Sequence, residues 1–295
     1  MSLRKEKILA LTNKNLNESS ISDLRFVFKE VLKSGMHGLC SSPYEEGQEP
    51  GDQLSEEQVR RRLEKMKPYT KWIRSFSCTE GNELIPKIAQ ELGIKTLVGA
   101  WLGDDPEINK KEIAGLIELV NNGYVDVAAV GNEVMYRGDL SEDELLQFIS
   151  EVKEGIKVDV PVGYVDAYYE FSERPAITEA CDIILANCYP FWEGCSQEYS
   201  LLYMKDMYNR AKRAGNGKKV IITETGWPSE GTNLGGAIPS EENAIKYFIN
   251  TQEWSKEEDI DIFYFSSFDE SWKVGDEGDV GAYWGIWDKE EQLKY

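Results

Sequence analysis

The feature that most constrains this chain is an eightfold alternation. Short, β-rich runs recur near Met36–Ser41, Trp72–Phe76, Lys95–Trp101, Val125–Val130, Val160–Val165, Ile183–Asn187, Val220–Thr223 and Ile262–Ser266. Several are apolar almost throughout, as a strand must be when both of its faces are covered. Amphipathic stretches with helix-start signals lie between them. Ser55-Glu-Glu-Gln58 and Ser141-Glu-Asp-Glu144 have the capping-box spacing, a hydroxyl at the cap and a reciprocating side chain three residues on. Pro106 suits a first helical turn ahead of Ile113, Leu116, Ile117 and Val120, and Ser240 precedes Ile245, Phe248 and Ile249. Gly81, Gly93 and Gly123 punctuate the ends of these elements.

Strands that alternate with helices pair in parallel through right-handed crossovers. Eight such units close into a (β/α)8 TIM barrel, which typically takes about 250 residues. A chain of 295 residues therefore reads as α/β, with residues 1–295 one catalytic barrel domain. The rival is an open doubly wound sheet, but no GxGxxG or GxxxxGKS/T phosphate loop follows any run. Residues 1–34 are expected to add a helix, on the spacing of Ile21, Leu24, Phe28, Val31 and Leu32, packed across the start of the barrel.

Composition excludes several function classes. A formal net charge of −20 repels phosphate backbones and anionic lipid surfaces, so no nucleic-acid or membrane partner is expected. A neutral substrate such as a sugar polymer fits better. No run reaches the roughly 18 apolar residues of a membrane span. No signal-peptide core stands near Met1, which leaves open a cytoplasmic protein or one whose export signal is not in this sequence. The cysteines Cys40, Cys78, Cys181, Cys188 and Cys195 lack CxxC spacing, and His37 is the one histidine, so no zinc site is expected. They read as free thiols, although Cys188 and Cys195 are near enough in sequence to pair. His37 reads as a packing or hydrogen-bonding residue, and no GxSxG elbow accompanies it. The acidic loop Gly275-Asp-Glu-Gly-Asp279 lacks EF-hand spacing and reads as solvated surface. No metal or cofactor is expected, and the chain is expected to be a monomer.

In a barrel the active site lies at the carboxyl ends of the strands. Three acids stand there. Glu133 follows the fourth run in Val130-Gly-Asn-Glu-Val134, Glu224 ends the seventh in Ile221-Ile-Thr-Glu-Thr-Gly-Trp-Pro-Ser229, and Glu270 follows the eighth in Phe268-Asp-Glu-Ser-Trp-Lys273. A carboxylate at the tip of a buried strand costs desolvation energy. One could be a structural ion pair; three at equivalent tips point to chemistry. Runs four and seven face each other across an eight-membered ring. Two opposed carboxyl groups are what glycosidic cleavage uses: an acid that protonates the leaving oxygen, and a carboxylate that attacks the anomeric carbon.

On these residues the chain resembles glycoside hydrolase family 17, the β-1,3-glucanase and lichenase family. Gly131-Asn-Glu-Val134 is similar to its acid/base motif, and Thr223-Glu-Thr-Gly-Trp-Pro-Ser229 to its more specific nucleophile motif. Phe265 to Lys273 resembles its eighth-strand signature, with Ser271 where Pro is usual, and Ala282-Tyr-Trp-Gly-Ile286 its closing segment. Gly38 to Gln48, including Tyr44, resembles bacterial members but has Ser41 where an aromatic residue is common.

The resemblance implies a retaining glycosidase, with Glu133 the general acid and then base and Glu224 the nucleophile. Asn132 would bond the sugar 2-hydroxyl. Glu270 and Lys273 would form a charge pair that either orients the site or is structural only. Tyr189 and Trp192, in Asn187-Cys-Tyr-Pro-Phe-Trp192, would be sugar-stacking platforms, followed by Trp227 and Phe268; Tyr44 and Arg74 would support the site. The implied substrate is a β-glucan. The implied reaction is hydrolysis of β-1,3-glucan, with transglycosylation through the same intermediate, or an inactive glucan-binding barrel, as alternatives.

Overall fold

The computed structural model of the protein describes residue 16, residues 19–275 and residues 277–295. Eight strands form a closed, all-parallel barrel: β1 Met36–Cys40, β2 Thr70–Ser75, β3 Lys95–Ala100, β4 Val127–Asn132, β5 Val162–Ala167, β6 Ile183–Asn187, β7 Val220–Thr225 and β8 Ile262–Tyr264. The ring closes through β1 on β8, where Gly38 pairs with Phe263 and Leu39 with Tyr264. The eight runs read from sequence are these strands, in order, with their ends moved by a few residues. β4, β6 and β7 are buried along their whole length, which is why they carry so few polar residues before their tips.

β8 is shorter than its sequence run. After Tyr264 the backbone keeps single bonds to β7 and β1 and also pairs with the closing segment: Ser266 N–H donates to Trp284 O at 3.0 Å, Trp287 N–H to Ser267 O at 2.9 Å and Asp269 N–H to Trp287 O at 2.8 Å. This lays Trp284 against Tyr189 and Phe265.

Helix starts follow the cap chemistry. Ser141 accepts from Glu144 N–H while Glu144 reaches back to the Ser141 N–H, so that capping box is complete. Asp105 caps the helix that opens with Pro106, and Ser240 caps Glu241–Glu257. The box expected at Ser55 forms only by half. Ser55 accepts from Gln58 N–H, but the buried Gln58 amide turns instead to Pro43 O at 2.6 Å in the loop after β1. There tertiary burial overrides the local motif.

The N-terminal helix, α1 (Ile21–Lys33), also sits elsewhere than expected. It lies alongside the barrel against the helix Glu241–Glu257. Phe28 packs on Phe248 at 4.6 Å and edge-on to Tyr295 at 5.0 Å, and Phe248 in turn meets Tyr264 of β8 at 5.1 Å. After β8 the described chain makes only 3₁₀ turns, Ser271–Val274 and Gly278–Tyr283, so α1 covers the flank that a helix after β8 would otherwise cover. Residues 1–15, 17 and 18 lie outside the described residues.

Phe28 has no exposed surface. Phe28→Ala should therefore destabilise the fold by about 3–4 kcal/mol, the usual cost of emptying an aromatic core site. Arg25→Ala, which breaks the exposed pair with Glu241, should leave the stability almost unchanged by comparison. Urea denaturation of both variants measures the contrast.

Candidate active site

The tips of β2, β4, β6, β7 and the turn after β8 converge at the carboxyl end of the barrel. Register irregularities fall at the functional tips: between Ala129 and Asn132 on β4, at Ala186/Asn187 on β6 and between Ile222 and Thr225 on β7. Such irregularities re-aim side chains out of the regular pleat. Gly226, in the motif after β7, has to be glycine because β8 approaches there: a Cβ would stand 1.9 Å from Phe265 O.

Glu133 and Glu224 share one donor. Asn187 Nδ2 donates to Glu133 Oε1 at 2.8 Å and to Glu224 Oε1 at 3.1 Å. The two acceptor oxygens therefore lie within about 6 Å of each other, below the 6.5–9.5 Å separation of inverting enzymes. The Asn187 amide is oriented from behind, since its Oδ1 accepts from Thr223 Oγ1 at 2.8 Å.

Glu224 is held on every side. Arg74 Nη1 donates to its Oε1 at 2.5 Å, and Tyr189 OH to its Oε2 at 2.8 Å. The same guanidinium gives Nη2 to Asn132 Oδ1 at 2.6 Å and lies 4.3 Å over the Phe76 ring. Lys273 pairs with Glu270 at 3.0 Å and sits 4.1 Å over the Phe265 ring. Burial pulls the Lys273 amine down, but Glu270, Glu277 and Glu224 together hold it above its ordinary value. The charge of Glu224 is one of those that act on Lys273. Glu270 Oε1 is buried with no hydrogen-bond partner, an acceptor facing the same region.

Glu133 lies among groups that favour its protonated form. Burial first, then the like charges of Glu224 and Asp166, push its carboxyl up to about 7, against the opposing bond from Asn187 and the charge of Arg74. A group poised there can hold a proton near neutral pH and give it up.

The aromatic residues sort themselves by exposure. Trp192 keeps 39% of its surface and leans on Trp284 at 5.5 Å, so it can offer a ring face. Tyr189 acts through its hydroxyl instead, because its ring is packed edge-on against Phe265 and Trp284. Trp227 and Phe268 are each 1% exposed and cannot serve as platforms. Trp227 is a core residue bonded to Ile238 O at 3.0 Å, and Phe268 lies under Arg62 and beside Trp287. Tyr44 is buried too; its hydroxyl accepts from Asn82 and its ring stands edge-on to Trp272. His37 is a packing residue, paired with Asp261 at 2.9 Å and stacked on Trp72. All five cysteines are free thiols.

Three residues escape the sequence reading. Asn187 ends the sixth run and Asp166 directly follows the fifth, so both meet the strand-tip criterion that points to Glu133, Glu224 and Glu270. Trp101, 40% exposed at the end of β3 with the Arg137 guanidinium 4.6 Å over its ring, carries no local motif.

Residues 38–285 match the BtgE/BtgC glycoside hydrolase domain. The chain belongs to that family. Among relatives, the glucan 1,3-beta-glucosidase BGL2 of Candida albicans is 29% identical over 262 residues, covering 79% of this chain and 83% of that protein. Among solved structures, the glycoside hydrolase family 17 β-1,3-glucanosyltransferase of Rhizomucor miehei superposes with a TM-score of 0.78 at 29% identity, over 89% of this chain and 96% of that one. An endo-laminarinase from Formosa shares the fold, with a TM-score of 0.76 at 20% identity, over 90% of this chain and 87% of that one. Both the Candida and the Rhizomucor relatives are fungal, whereas the likeness expected for Gly38 to Gln48 is to bacterial members. As a member of a glycoside hydrolase family on a TIM barrel, the chain is a glycosidase.

If Glu224 raises Glu133 by its charge, the variant Glu224→Gln should lower the Glu133 titration below that of the wild type. Carbon-13 NMR of the side-chain carboxyl groups follows this directly. An unchanged or higher midpoint would separate the two groups electrostatically.

Proposed function

We propose that this barrel is a retaining glycosidase acting on β-1,3-glucan, as a monomer with one catalytic domain, with Glu133 as acid/base and Glu224 as nucleophile. The observation that carries the reading is the single Asn187 amide donating to both carboxyl groups, which brings one oxygen of each within about 6 Å and favours the close pairing of a retaining enzyme. The names of the Candida and Rhizomucor relatives support the choice of substrate.

The geometry performs the reaction in two displacements. The Glu224 carboxylate, aligned by Arg74, Asn187 and Tyr189, attacks the anomeric carbon. The bond to the leaving oxygen breaks as Glu133 gives that oxygen its proton. A water then gives a proton to Glu133 and its oxygen to the anomeric carbon, and Glu224 leaves as a carboxylate. Two inversions give net retention. Arg74 takes the oxygen of Asn132, so the Asn132 amide directs its N–H donors toward a sugar hydroxyl, a bond that strengthens in the transition state. Trp192 offers a flat face to the C–H side of a pyranose ring.

Wild-type protein should release the β-anomer first from laminarin oligosaccharides, as read by proton NMR. Glu224→Ala should lower turnover by at least about 10³-fold while still binding the oligosaccharide. Early α-anomer would overturn the nucleophile assignment. Because the first step needs Glu133 protonated, kcat/KM should fall as pH rises through about 7.

A second reading is favoured by the likeness to the Rhizomucor glucanosyltransferase. There a sugar hydroxyl replaces water in the second displacement. Chromatographic products longer than the starting oligosaccharide would mark transfer; shorter products alone would mark hydrolysis.

A further inference from the structure

Glu133 stands on an uncommon backbone. Its φ is 52°, in the left-handed region, which costs a residue with a side chain of order 1–3 kcal/mol unless its surroundings over-determine it. It also precedes a helix of only four residues, Val134–Arg137, whose first amides have no acceptor within the helix. β5 supplies those acceptors. Val165 O takes the Glu133 N–H at 2.8 Å, and the Tyr164 hydroxyl takes the Met135 N–H at 2.9 Å. Asp166 Oδ2 takes the Tyr136 N–H through a longer contact of 3.4 Å, and also the proton of the Tyr164 hydroxyl. Its other oxygen accepts the Ala167 N–H at 2.7 Å.

Asp166 has no exposed surface, and these partners are all neutral. Burying a carboxyl group whose donors are one tyrosine and two backbone amides, with no cation bonded to it, is costly. What the group accomplishes is local: it joins β5 to the turn that presents the acid. We propose that Asp166, acting with Tyr164, is a positioning residue that locks the left-handed turn and aims the Glu133 carboxyl at the leaving oxygen. This deepens the glycosidase reading and rests on Glu133 being its acid/base. Burial lifts Asp166 itself to about 6, and its charge adds to those that raise Glu133. Glu170, the other acid facing Asp166, is paired with Arg174 at 2.7 Å.

The test separates aim from folding by leaving-group dependence. Laminarihexaose needs its leaving oxygen protonated; 2,4-dinitrophenyl β-laminaribioside does not. Asp166→Asn and Tyr164→Phe, each checked for a native melting transition, are compared with wild type and with Glu133→Gln. Loss of aim predicts that Asp166→Asn lowers kcat on laminarihexaose by about 10²-fold, the lower end of a general acid's contribution, with KM within about threefold. The first-turnover burst of dinitrophenolate should stay within about threefold of wild type, because that step needs no acid. Tyr164→Phe should change the same ratio in the same direction. Equal losses on both substrates, or no loss on either, would overturn the role of Asp166. Wild type that cleaves neither substrate, or Glu133→Gln that cleaves laminarihexaose normally, would instead overturn the assignment of Glu133 on which this proposal stands.

Discussion

The arrangement at the mouth of the barrel depends on one amide. Asn187 offers its N–H bonds to two carboxyl groups at once and thereby keeps two acids together that would otherwise repel. Around that contact, charge is nearly balanced. Arg74 is bonded to Glu224, Lys273 to Glu270, and the remaining acid, Glu133, answers the crowding by holding its proton more tightly. Removing one partner from such a buried set would leave a charge uncompensated, which costs far more than an exposed pair is worth. The two central acids differ in what bonds them: Glu224 takes a guanidinium, a phenol and an amide, whereas Glu133 takes the amide and has two negative charges nearby.

The fold makes this convergence possible by departing from regularity where it matters. Register breaks occur beside Asn132, Asn187 and Glu224, and the chain after Tyr264 pairs with the closing segment, which sets Trp284 edge-on to the Tyr189 ring. The rest of the ring is regular and densely buried, so the strained tips are carried on a rigid base. α1 is part of that base. By filling the flank beside Glu241–Glu257, it shields β8 and its aromatic neighbours from water.

Much of this was legible in the sequence for a physical reason. Strands buried on both faces leave apolar runs too long to be accidental, and a carboxylate at the end of such a run has few structural excuses. That logic located all eight strands and the pair Glu133 and Glu224. It was less able to place aromatic residues, because Trp227 and Trp192 both flank functional motifs and only packing shows that one is enclosed and the other open. Nor could it reveal Asn187 as the bridge, since a neutral amide at a strand tip has no desolvation signature as strong as that of an acid. The Ser55 box failed for the opposite reason: a tertiary partner, Pro43 O, claimed the side chain that the local motif needed. The position of α1 was out of reach, because helical periodicity reports which face is buried and says nothing of what buries it.

In the proposed double displacement, Glu224 becomes covalently bonded to sugar while Glu133 moves the proton. The most direct measurement is mass spectrometry of the protein after incubation with a 2-deoxy-2-fluoro-β-laminaribiosyl fluoride, whose slowed second displacement lets the intermediate accumulate. The account predicts one added glycosyl mass, located by peptide fragmentation on Glu224. Label on any other residue would contradict it, and so would steady release of fluoride without a covalent adduct.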